Sequence, residues 1–425
     1  MRSTNTDAYV LSSARIPFAK SQTNYADVTR KDLMVASLNS LIQKSNLKNK
    51  IVDDVALGAV MNSASDYNLA RESVLDTELH PETPAYNVQR ACGTSLETIW
   101  QMALKVHAGH IEYGIAGGVD TNSDLPIEVS NEMKTFLLSM SRAKRFSEKL
   151  SALGQLSFKT LVPRLPAVVE ARTLMSMGQH CELMVKEWQI TRADQDQLAF
   201  ISHKNGSAAY ERGFYDDLVV EYKNSKKDLT LRADTSIEKL AKLKPVFDFT
   251  NGSLTAGNSS PLTDGSACVL VGNLETASKL GIKPMAKVID VQVAAVDFVH
   301  GAGLLMAPTK AVAKLLTRNK LSFQDFDFFE IHEAFAGQVL CNLKAWETEK
   351  YCKEVLGLQS ALGSLDRRKL NTVGSSLALG HPFAATGARI AGTLSKLLSG
   401  GGQKRGLVSI CTAGGMGIAA ILESV

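Results

Sequence analysis

The recurrence of one order of secondary-structure signals is the feature that most constrains how this chain can fold. Small residues around Cys92 open an amphipathic helix, which leads into a strand over residues 111–116 and a pair of glycines. Near the other end, a glycine-rich turn around His381 opens a helix over residues 387–398, and a strand over residues 406–411 follows. Alternating helices and strands are typical of α/β folds, and a repeated order indicates a duplicated unit. The sequence therefore predicts two α/β halves that each contribute a loop to a shared site.

The segments outside the two copies divide into a β/α start and a long central excursion. Residues 9–11 and 55–60 are predicted to form buried strands, with a helix over residues 32–43 between them. From about residue 121 to residue 250 the pattern changes to helical, polar and basic segments that fit neither copy. We interpret this region as an excursion that lies over the core.

The early part of this excursion combines apolar runs with basic residues. Its apolar runs are residues 136–138 and 161–162, and Glu148 and Glu170 are the acidic residues between positions 134 and 172. The basic residues there are Lys134, Arg142, Lys144, Arg145, Lys149, Lys159, Arg164 and Arg172. The pattern is typical of a solvated helical face, and it also suits a surface for a partner, an acyl chain or peripheral contact with a membrane.

The composition excludes several classes of protein. The 425 residues are 45% apolar and 21% charged, as in ordinary globular proteins. The net charge of +4, from 47 basic and 43 acidic residues, gives no reason to expect nucleic acid as a partner. Residues 1–14 lack the apolar core of a signal peptide, and no apolar run has transmembrane length. We therefore expect a cytoplasmic protein without nucleic-acid partners.

The six cysteines are spaced neither as a disulfide framework nor as a zinc site. They are Cys92, Cys181, Cys268, Cys341, Cys352 and Cys411. No two of them form a C-x-x-C pair, and none has zinc-ligand spacing to a histidine. We therefore expect no metal, and a reducing compartment is the default.

Cys92 lies in the run Arg90-Ala91-Cys92-Gly93-Thr94-Ser95, which follows an extended segment and opens a helix. A thiol at this place is near the positive end of the helix dipole, which is expected to lower its pKa. A lowered pKa would make the Cys92 thiolate available as a nucleophile. The alternative is a buried cysteine that only packs, as free cysteines commonly do.

Two histidines and a second cysteine lie at similar turns. His332 follows an apolar run and precedes a helix, at a strand end of the kind where ligands gather in α/β sheets; a capping or core histidine is the alternative. His381 lies between Gly380 and Pro382, in a rigid loop that favours catalysis over packing. Cys411 ends a strand before a glycine-lined turn, whose free N–H groups suit an oxyanion.

Taken in order along the chain, these motifs resemble those of the thiolase family over essentially the full length. The matching segments are Arg15-Ile16-Pro17, the turn around Cys92, Gly117-Gly118, Thr255-Ala256-Gly257-Asn258-Ser259-Ser260, His332-Glu333-Ala334-Phe335, Gly380-His381-Pro382 and the turn after Cys411. The resemblance implies the thiolase fold, an α/β fold of two duplicated five-layered α-β-α-β-α halves with an inserted loop domain. The halves would be residues 1–280 and 281–425, with the loop domain at about 121–250.

The resemblance also implies an activity. Thiolases cleave a 3-ketoacyl-CoA with free CoA to acetyl-CoA and a shortened acyl-CoA, or run the reverse condensation. Cys92 would attack the 3-keto carbon and carry the acyl group, and Cys411 would be the acid and base for C2 and for CoA. His381 would activate Cys92 and share an oxyanion hole with His332 through a bound water. The backbone N–H groups of Cys92 and Ala413 would form the second hole.

The same resemblance suggests how CoA binds. Ser260 would contact the pantetheine, and Arg232 would lie near the nucleotide phosphate; a plain surface cation is the alternative for Arg232. CoA is a substrate in this scheme, and no cofactor is implied. Family members are commonly homodimers.

Several positions depart from the family pattern. Many thiolases have Asn at the position of His332 and Gly at the positions of Ala384 and Ala413, and Pro261 replaces a frequent glycine. His332, the run after His381 and the insert at residues 346–370 resemble the thiolase (beta) subunits of bacterial-type fatty-acid oxidation complexes, which work beside a hydratase/dehydrogenase (alpha) subunit.

We therefore predict a degradative 3-ketoacyl-CoA thiolase of fatty-acid β-oxidation, for medium or long acyl chains. One alternative is a biosynthetic acetoacetyl-CoA thiolase. An alternative from another class is a catalytically idle subunit that only binds CoA esters or a partner.

Overall fold

The computed structural model describes residues 6–154, 158–164 and 169–425, without the side chains at positions 65, 158 and 159. The strands are β1 (Tyr9–Arg15), β2 (Ala19–Lys20), β3 (Asp54–Leu57), β4 (Ala85–Asn87), β5 (Tyr113–Asp120), β6 (Thr263–Gly272), β7 (Ala286–Ala295), β8 (Phe328–Ile331), β9 (Arg405–Thr412) and β10 (Met416–Glu423). The helices are α1 (Arg30–Lys44), α2 (Leu69–Leu75), α3 (Thr94–His107), α4 (Asn131–Arg142), α5 (Phe146–Leu153), α6 (Phe158–Leu161), α7 (Met177–Glu187), α8 (Arg192–Glu211), α9 (Ile237–Ala241), α10 (Leu274–Leu280), α11 (Ala307–Asn319), α12 (Ala336–Glu347), α13 (Glu349–Glu354), α14 (Ser376–Leu379) and α15 (Thr386–Ser399).

The order of the strands repeats on either side of the contact between β1 and β7. Across the described residues the order is β4-β3-β5-β6-β1-β7-β10-β9-β8, with β2 beside β6. Outward from the contact, β1–β6, β6–β5, β7–β10 and β10–β9 are antiparallel, and β5–β3 and β9–β8 are parallel. A parallel bridge between Phe329 and Leu370 lies where the first half has the parallel pair β3–β4. The predicted duplication of one α/β unit is therefore confirmed.

Helices cover both faces of this sheet. Helices α3 and α15 pack against each other and share one apolar core with strands of both halves. On the opposite faces, α1 and α2 cover the first half, whereas α11 and α12 cover the second. The first half of the sheet thus lies between α1 and α2 on one side and α3 and α15 on the other, and the second half lies between α3 and α15 and the pair α11 and α12. The layers follow the order α-β-α-β-α, as the resemblance to thiolases implied. The boundary near residue 280 stays a prediction.

One strand lies later in the chain than the sequence suggested. The strand expected over residues 111–116 is β5, which runs from Tyr113 to Asp120, so Gly117 and Gly118 lie inside it rather than after it. A Cβ at Gly118 would lie 2.2 Å from the carbonyl oxygen of Ala384. Glycine is needed there because the backbone of the His381 loop comes so close to the strand.

The excursion carries helices α4 to α9 within the described residues. Helices α4 and α5 leave several large apolar side chains exposed, namely Leu137, Leu138, Phe146, Leu150 and Leu153. The side chain of Lys159, one of the predicted basic residues, lies outside the described part. Every helix that the structure describes is too short or too polar to cross a membrane.

Candidate active site

Cys92 occupies a tight turn between β4 and α3. Ala91 has a φ of +43°, in the left-handed region, and its carbonyl oxygen accepts a 2.7 Å hydrogen bond from Thr94 Oγ1. A Cβ at Gly93 would lie 2.8 Å from Ile418 Cγ2 in β10, so only glycine lets the turn approach the second half. The turn therefore presents Cys92 at the junction of the two halves.

The environment of Cys92 opposes ionisation of its thiol. The residue is 8% exposed, and burial raises the pKa of the thiol to about 12, although backbone N–H groups of Ala413 and of Cys92 itself donate to the sulfur and act in the opposite direction. The expectation of a lowered pKa is wrong, because desolvation outweighs these local dipoles. At neutral pH the nucleophile candidate is a thiol that needs a base.

Two imidazoles lie next to this thiol. The ring centroids of His332 and His381 are 4.1 Å apart, and one nitrogen of each ring lies within 4.8 Å of the other and of Cys92 Sγ. His332 Nδ1 is 2.7 Å from Ser376 Oγ, and His381 Nδ1 is 2.6 Å from Thr386 Oγ1. Each hydroxyl holds one ring nitrogen, which leaves the Nε2 atoms for the site.

Both histidines are neutral over the physiological range. Burial lowers the pKa of His381 to about 3, and the positive charge of Arg389 acts in the same direction. Burial, His381 and Arg389 hold the pKa of His332 well below its usual value. Neutral His381 can accept a proton from the Cys92 thiol, and neutral His332 can donate from only one of its two nitrogens.

The loop of His381 is fixed by the first half of the chain. The backbone N–H of His381 donates to Thr263 Oγ1 at 2.7 Å, and Gly380 before it has a φ of +96°. The backbone N–H of Ala384 donates to the buried carboxylate of Asp120 at 2.8 Å, which also accepts from backbone N–H groups after β3. Burial raises the pKa of Asp120 to about 6. Asp120 thus ties the ends of β3 and β5 to the histidine loop.

Cys411 approaches the same place from the second half. It is the penultimate residue of β9 and is 1% exposed. Burial, with the nearby Cys92 as a further cause, holds the pKa of its thiol well above the usual value. Gly414 and Gly415, with φ values of +75° and +68°, turn the chain back into β10. At neutral pH Cys411 can therefore donate a proton.

Cys92, His381 and Cys411 line one cavity of about 240 Å³, whereas the fully buried His332 is not part of its wall. Besides Cys92, His381, Cys411 and Ala413, its walls are mostly apolar and include Met61, Val169, Met177, Leu262, Phe335 and Phe383. Residues 260–262 also line a second cavity of about 390 Å³. The two cavities are neighbours that share this short wall.

The two predicted CoA contacts line the second cavity. Ser260 Oγ donates a 2.9 Å hydrogen bond to the carbonyl oxygen of Ala334, so its own lone pairs remain available as acceptors. The Arg232 side chain is exposed, and its backbone N–H donates to His203 Nδ1 at 3.2 Å. The structure thus brings Ser260 to both cavities and Arg232 to the outer one.

Cys92, His332 and His381 form the group of potential metal ligands in the part of the chain that the structure describes. A thiolate and two imidazoles are donor types that zinc accepts. The expectation that the site works without a metal stays a prediction.

Sequence reasoning missed the residues that hold the histidines. Thr386 and Arg389 follow His381 closely in the chain, and Ser376 precedes it. The available signal was that these polar residues lie close in sequence to His381, a predicted catalytic histidine in a glycine-rich run. Asp120, at the end of β5, carried no such signal.

Comparison with known proteins finds the same family in both halves of the chain. A family model for "Thiolase, N-terminal domain" matches residues 8–275, and one for "Thiolase, C-terminal domain" matches residues 282–424. A 3-ketoacyl-CoA thiolase of Colwellia psychrerythraea is 40% identical over 422 residues, which is 98% of this chain and 96% of that protein. A 3-ketoacyl-CoA thiolase of Aliivibrio fischeri is 40% identical over 421 residues, covering 97% and 95%.

Two solved structures are similar to this chain over nearly its full length. Human mitochondrial 3-ketoacyl-CoA thiolase in complex with CoA is similar with a TM-score of 0.81 and 27% identity, over 99% of each chain. The acetyl-CoA acetyltransferase of Bacillus anthracis is similar with a TM-score of 0.81 and 30% identity, over 99% of this chain and 100% of that one.

Proposed function

The chain belongs to the thiolase family, and on that premise we propose that it is a 3-ketoacyl-CoA thiolase, an acyltransferase that cleaves 3-ketoacyl-CoA with free CoA. One observation carries the chemistry: Cys92, His381 and Cys411 line one cavity that adjoins a second, larger one. A nucleophile, a base and an acid are the groups that this reaction requires.

In the first half-reaction, Cys92 becomes acylated. His381 Nε2 takes the proton of the Cys92 thiol as the sulfur attacks the 3-keto carbon. The bond between C2 and C3 breaks, which leaves an acyl-Cys92 thioester and the enolate of acetyl-CoA. Cys411 gives its thiol proton to C2, and acetyl-CoA leaves. The raised pKa of Cys411 supports this role, because its thiol is protonated when the enolate forms.

In the second half-reaction, the acyl group passes to CoA. The Cys411 thiolate takes the proton of the incoming CoA thiol, and the CoA sulfur attacks the acyl-Cys92 carbonyl. The Cys92 thiolate leaves and recovers its proton from His381. Every group ends in its starting protonation state, so the proposed cycle runs without a cofactor.

Two sets of N–H donors would stabilise the negative charge that develops on oxygen. The backbone N–H groups of Cys92 and Ala413 both act to lower the pKa of the Cys92 thiol, which supports an oxyanion hole at this place for the acyl carbonyl. His332 lies beside His381 and would serve the thioester oxygen of the enolate. Loss of one such donor typically costs about 10²–10³ in rate.

CoA would lie in the second cavity, with its thiol entering past Ser260. Ser260 and Arg232 both line this space, and Arg232 is the exposed cation that suits a nucleotide phosphate. The complex of a similar human thiolase with CoA supports CoA as the ligand.

The apolar walls of the inner cavity support medium or long acyl chains. Met61, Met177 and Phe335 offer contacts that a two-carbon acyl group would not use. The test compares turnover of acetoacetyl-CoA with that of a long-chain 3-ketoacyl-CoA, at matched CoA concentration. We expect the long substrate to have the higher kcat/KM. Much faster turnover of acetoacetyl-CoA would favour the second candidate, an acetyl-CoA acetyltransferase, to which the Bacillus anthracis structure gives weight.

The setting of the enzyme is part of the proposal. We place it in fatty-acid β-oxidation in the cytoplasm, as a homodimer that associates with a hydratase/dehydrogenase alpha subunit. The exposed apolar side chains of α4 and α5 offer one surface for such an association. Purification from the native cell, followed by identification of bound subunits, tests this: recovery of a hydratase/dehydrogenase is expected, and the chain alone would contradict it.

A further inference from the structure

Arg389, Ser376 and His332 form a hydrogen-bonded relay of buried polar groups that leads to the active site. Arg389 in α15 is 2% exposed, and its Nη2 donates to Ser376 Oγ. Ser376 Oγ lies 2.7 Å from His332 Nδ1. His332 Nε2 is buried and has no hydrogen-bond partner, and His332 borders Cys92 and His381. The relay therefore ends at His332 Nε2, a ring nitrogen beside the reacting groups.

The hydrogens available in this relay allow one assignment of donors and acceptors. A guanidinium stays protonated in proteins and only donates hydrogen bonds, so Ser376 Oγ must accept from Arg389. The Ser376 hydroxyl has one hydrogen, and His332 Nδ1 is the remaining neighbour with which the oxygen is paired. If Nδ1 carried the proton instead, the Ser376 hydrogen would be buried without an acceptor, at a cost of about 1–3 kcal/mol.

The charge of Arg389 also disfavours the doubly protonated ring. A second proton on His332 would place an imidazolium near a guanidinium in a site without solvent. Burial lowers the pKa of Arg389, and the buried Glu330 and Glu333 act in the opposite direction and favour its charged form. His332 is left with a single proton, and the hydroxyl of Ser376 decides which nitrogen carries it.

We propose that Arg389 and Ser376 are positioning residues that fix His332 as the Nε2–H tautomer, so that it always donates to the bound water that in turn donates to the enolate oxygen of the substrate. The assignment of the enolate oxygen rests on the proposed function, whereas the tautomer itself does not. Neither residue touches the reacting atoms. Their effect is to remove the wrong tautomer, in which Nε2 would accept a hydrogen bond from that water instead of donating one to it.

The direct test is spectroscopic and does not depend on turnover. Histidine-specific ¹⁵N labelling distinguishes a protonated ring nitrogen from an unprotonated one by chemical shift, and a His332→Gln sample identifies the resonances of His332. We expect His332 to have a protonated Nε2 and an unprotonated Nδ1 across neutral pH. A protonated Nδ1 in the unaltered protein would overturn the proposal.

The kinetic test uses three variants at neighbouring serines. Ser376→Ala removes the hydroxyl relay, and we expect proton exchange at C2 of acetyl-CoA to fall about tenfold, because the tautomer is then no longer enforced. Formation of acyl-Cys92 from acyl-CoA uses the oxyanion hole formed by the backbone N–H groups of Cys92 and Ala413, so its rate should change much less. Ser376→Thr keeps a hydroxyl and should restore both exchange and the Nε2–H signature.

Ser375→Ala is the matched control. Ser375 Oγ accepts a 3.1 Å hydrogen bond from Arg389 Nη1, but it makes no hydrogen bond to a histidine. The variant removes a hydroxyl of the same size from the same arginine, so we expect exchange close to that of the unaltered protein. An equal loss in both alanine variants would indicate a structural role and contradict the proposal. If the unaltered protein catalysed no thiolysis, the proposed function would fail, and the ¹⁵N result would still decide the tautomer.

Discussion

Replacement of Cys411 by alanine would separate the two chemical tasks of the site. Cys411 lines the inner cavity and is 1% exposed, and burial keeps it as a thiol. In the alanine variant, no thiol is positioned to exchange a proton with C2. A positioned acid or base contributes about 10²–10⁴ in rate. We therefore expect the rate of exchange to fall by about 10³, which corresponds to about 4 kcal/mol in the barrier.

The assay is exchange of the C2 protons of acetyl-CoA in D₂O, followed by mass spectrometry. In the same variant, Cys92 should still be acylated by acyl-CoA, because the CoA thiolate can leave without the proton that Cys411 would give it. Loss of the buried sulfur costs about 1 kcal/mol of folding stability, so the melting temperature should fall by no more than a few degrees.

Cys181→Ala provides the control for this experiment. Cys181 is a buried thiol in the same apolar cluster as Cys411, and it does not line the inner cavity. It should exchange protons at the normal rate. Normal exchange in Cys411→Ala, or an equal loss in Cys181→Ala, would refute the acid and base role of Cys411.

Two further predictions concern Cys92 and CoA. Limiting iodoacetamide should label Cys92 before Cys268 and Cys341, which do not line the inner cavity; because burial raises the pKa of Cys92 to about 12, its labelling rate should climb between about pH 7 and about pH 10 without a plateau. A plateau near neutrality, or equal labelling of all three, would contradict this. Arg232→Ala should raise the KM for CoA about threefold to tenfold at unchanged kcat, as expected for an exposed charge on a phosphate. Lys239→Ala, which removes an exposed cation paired with Asp234, should leave that KM unchanged; an unchanged KM in Arg232→Ala would remove Arg232 from the CoA site.

Local patterns predicted much of the fold because its elements have strong local signals. Helices α1, α3 and α15 and strands β1 and β9 lie where apolar periodicity and glycine-rich turns indicated them. The repeated order of these signals led to the duplicated fold. The end of β5 was missed because glycines usually terminate a strand, whereas Gly118 here permits contact with Ala384.

The candidate site was less predictable, because its properties come from contacts between distant segments. The turn around Cys92 indicated a helix dipole, but the pKa of its thiol is set by burial against the second half of the chain. Likewise, the sequence could point to His332 but not to the state of its ring. That state depends on Ser376 and Arg389, which reach His332 only in the folded chain.

The central claim is that Cys92 carries the acyl group, and it can be tested by trapping. The protein is mixed with a long-chain 3-ketoacyl-CoA in the absence of free CoA, quenched in acid and analysed by peptide mass spectrometry. We predict an acyl group two carbons shorter than the substrate on the peptide that contains Cys92, together with an equivalent amount of acetyl-CoA. Release of acetyl-CoA without this adduct, or an adduct on another residue, would contradict the claim.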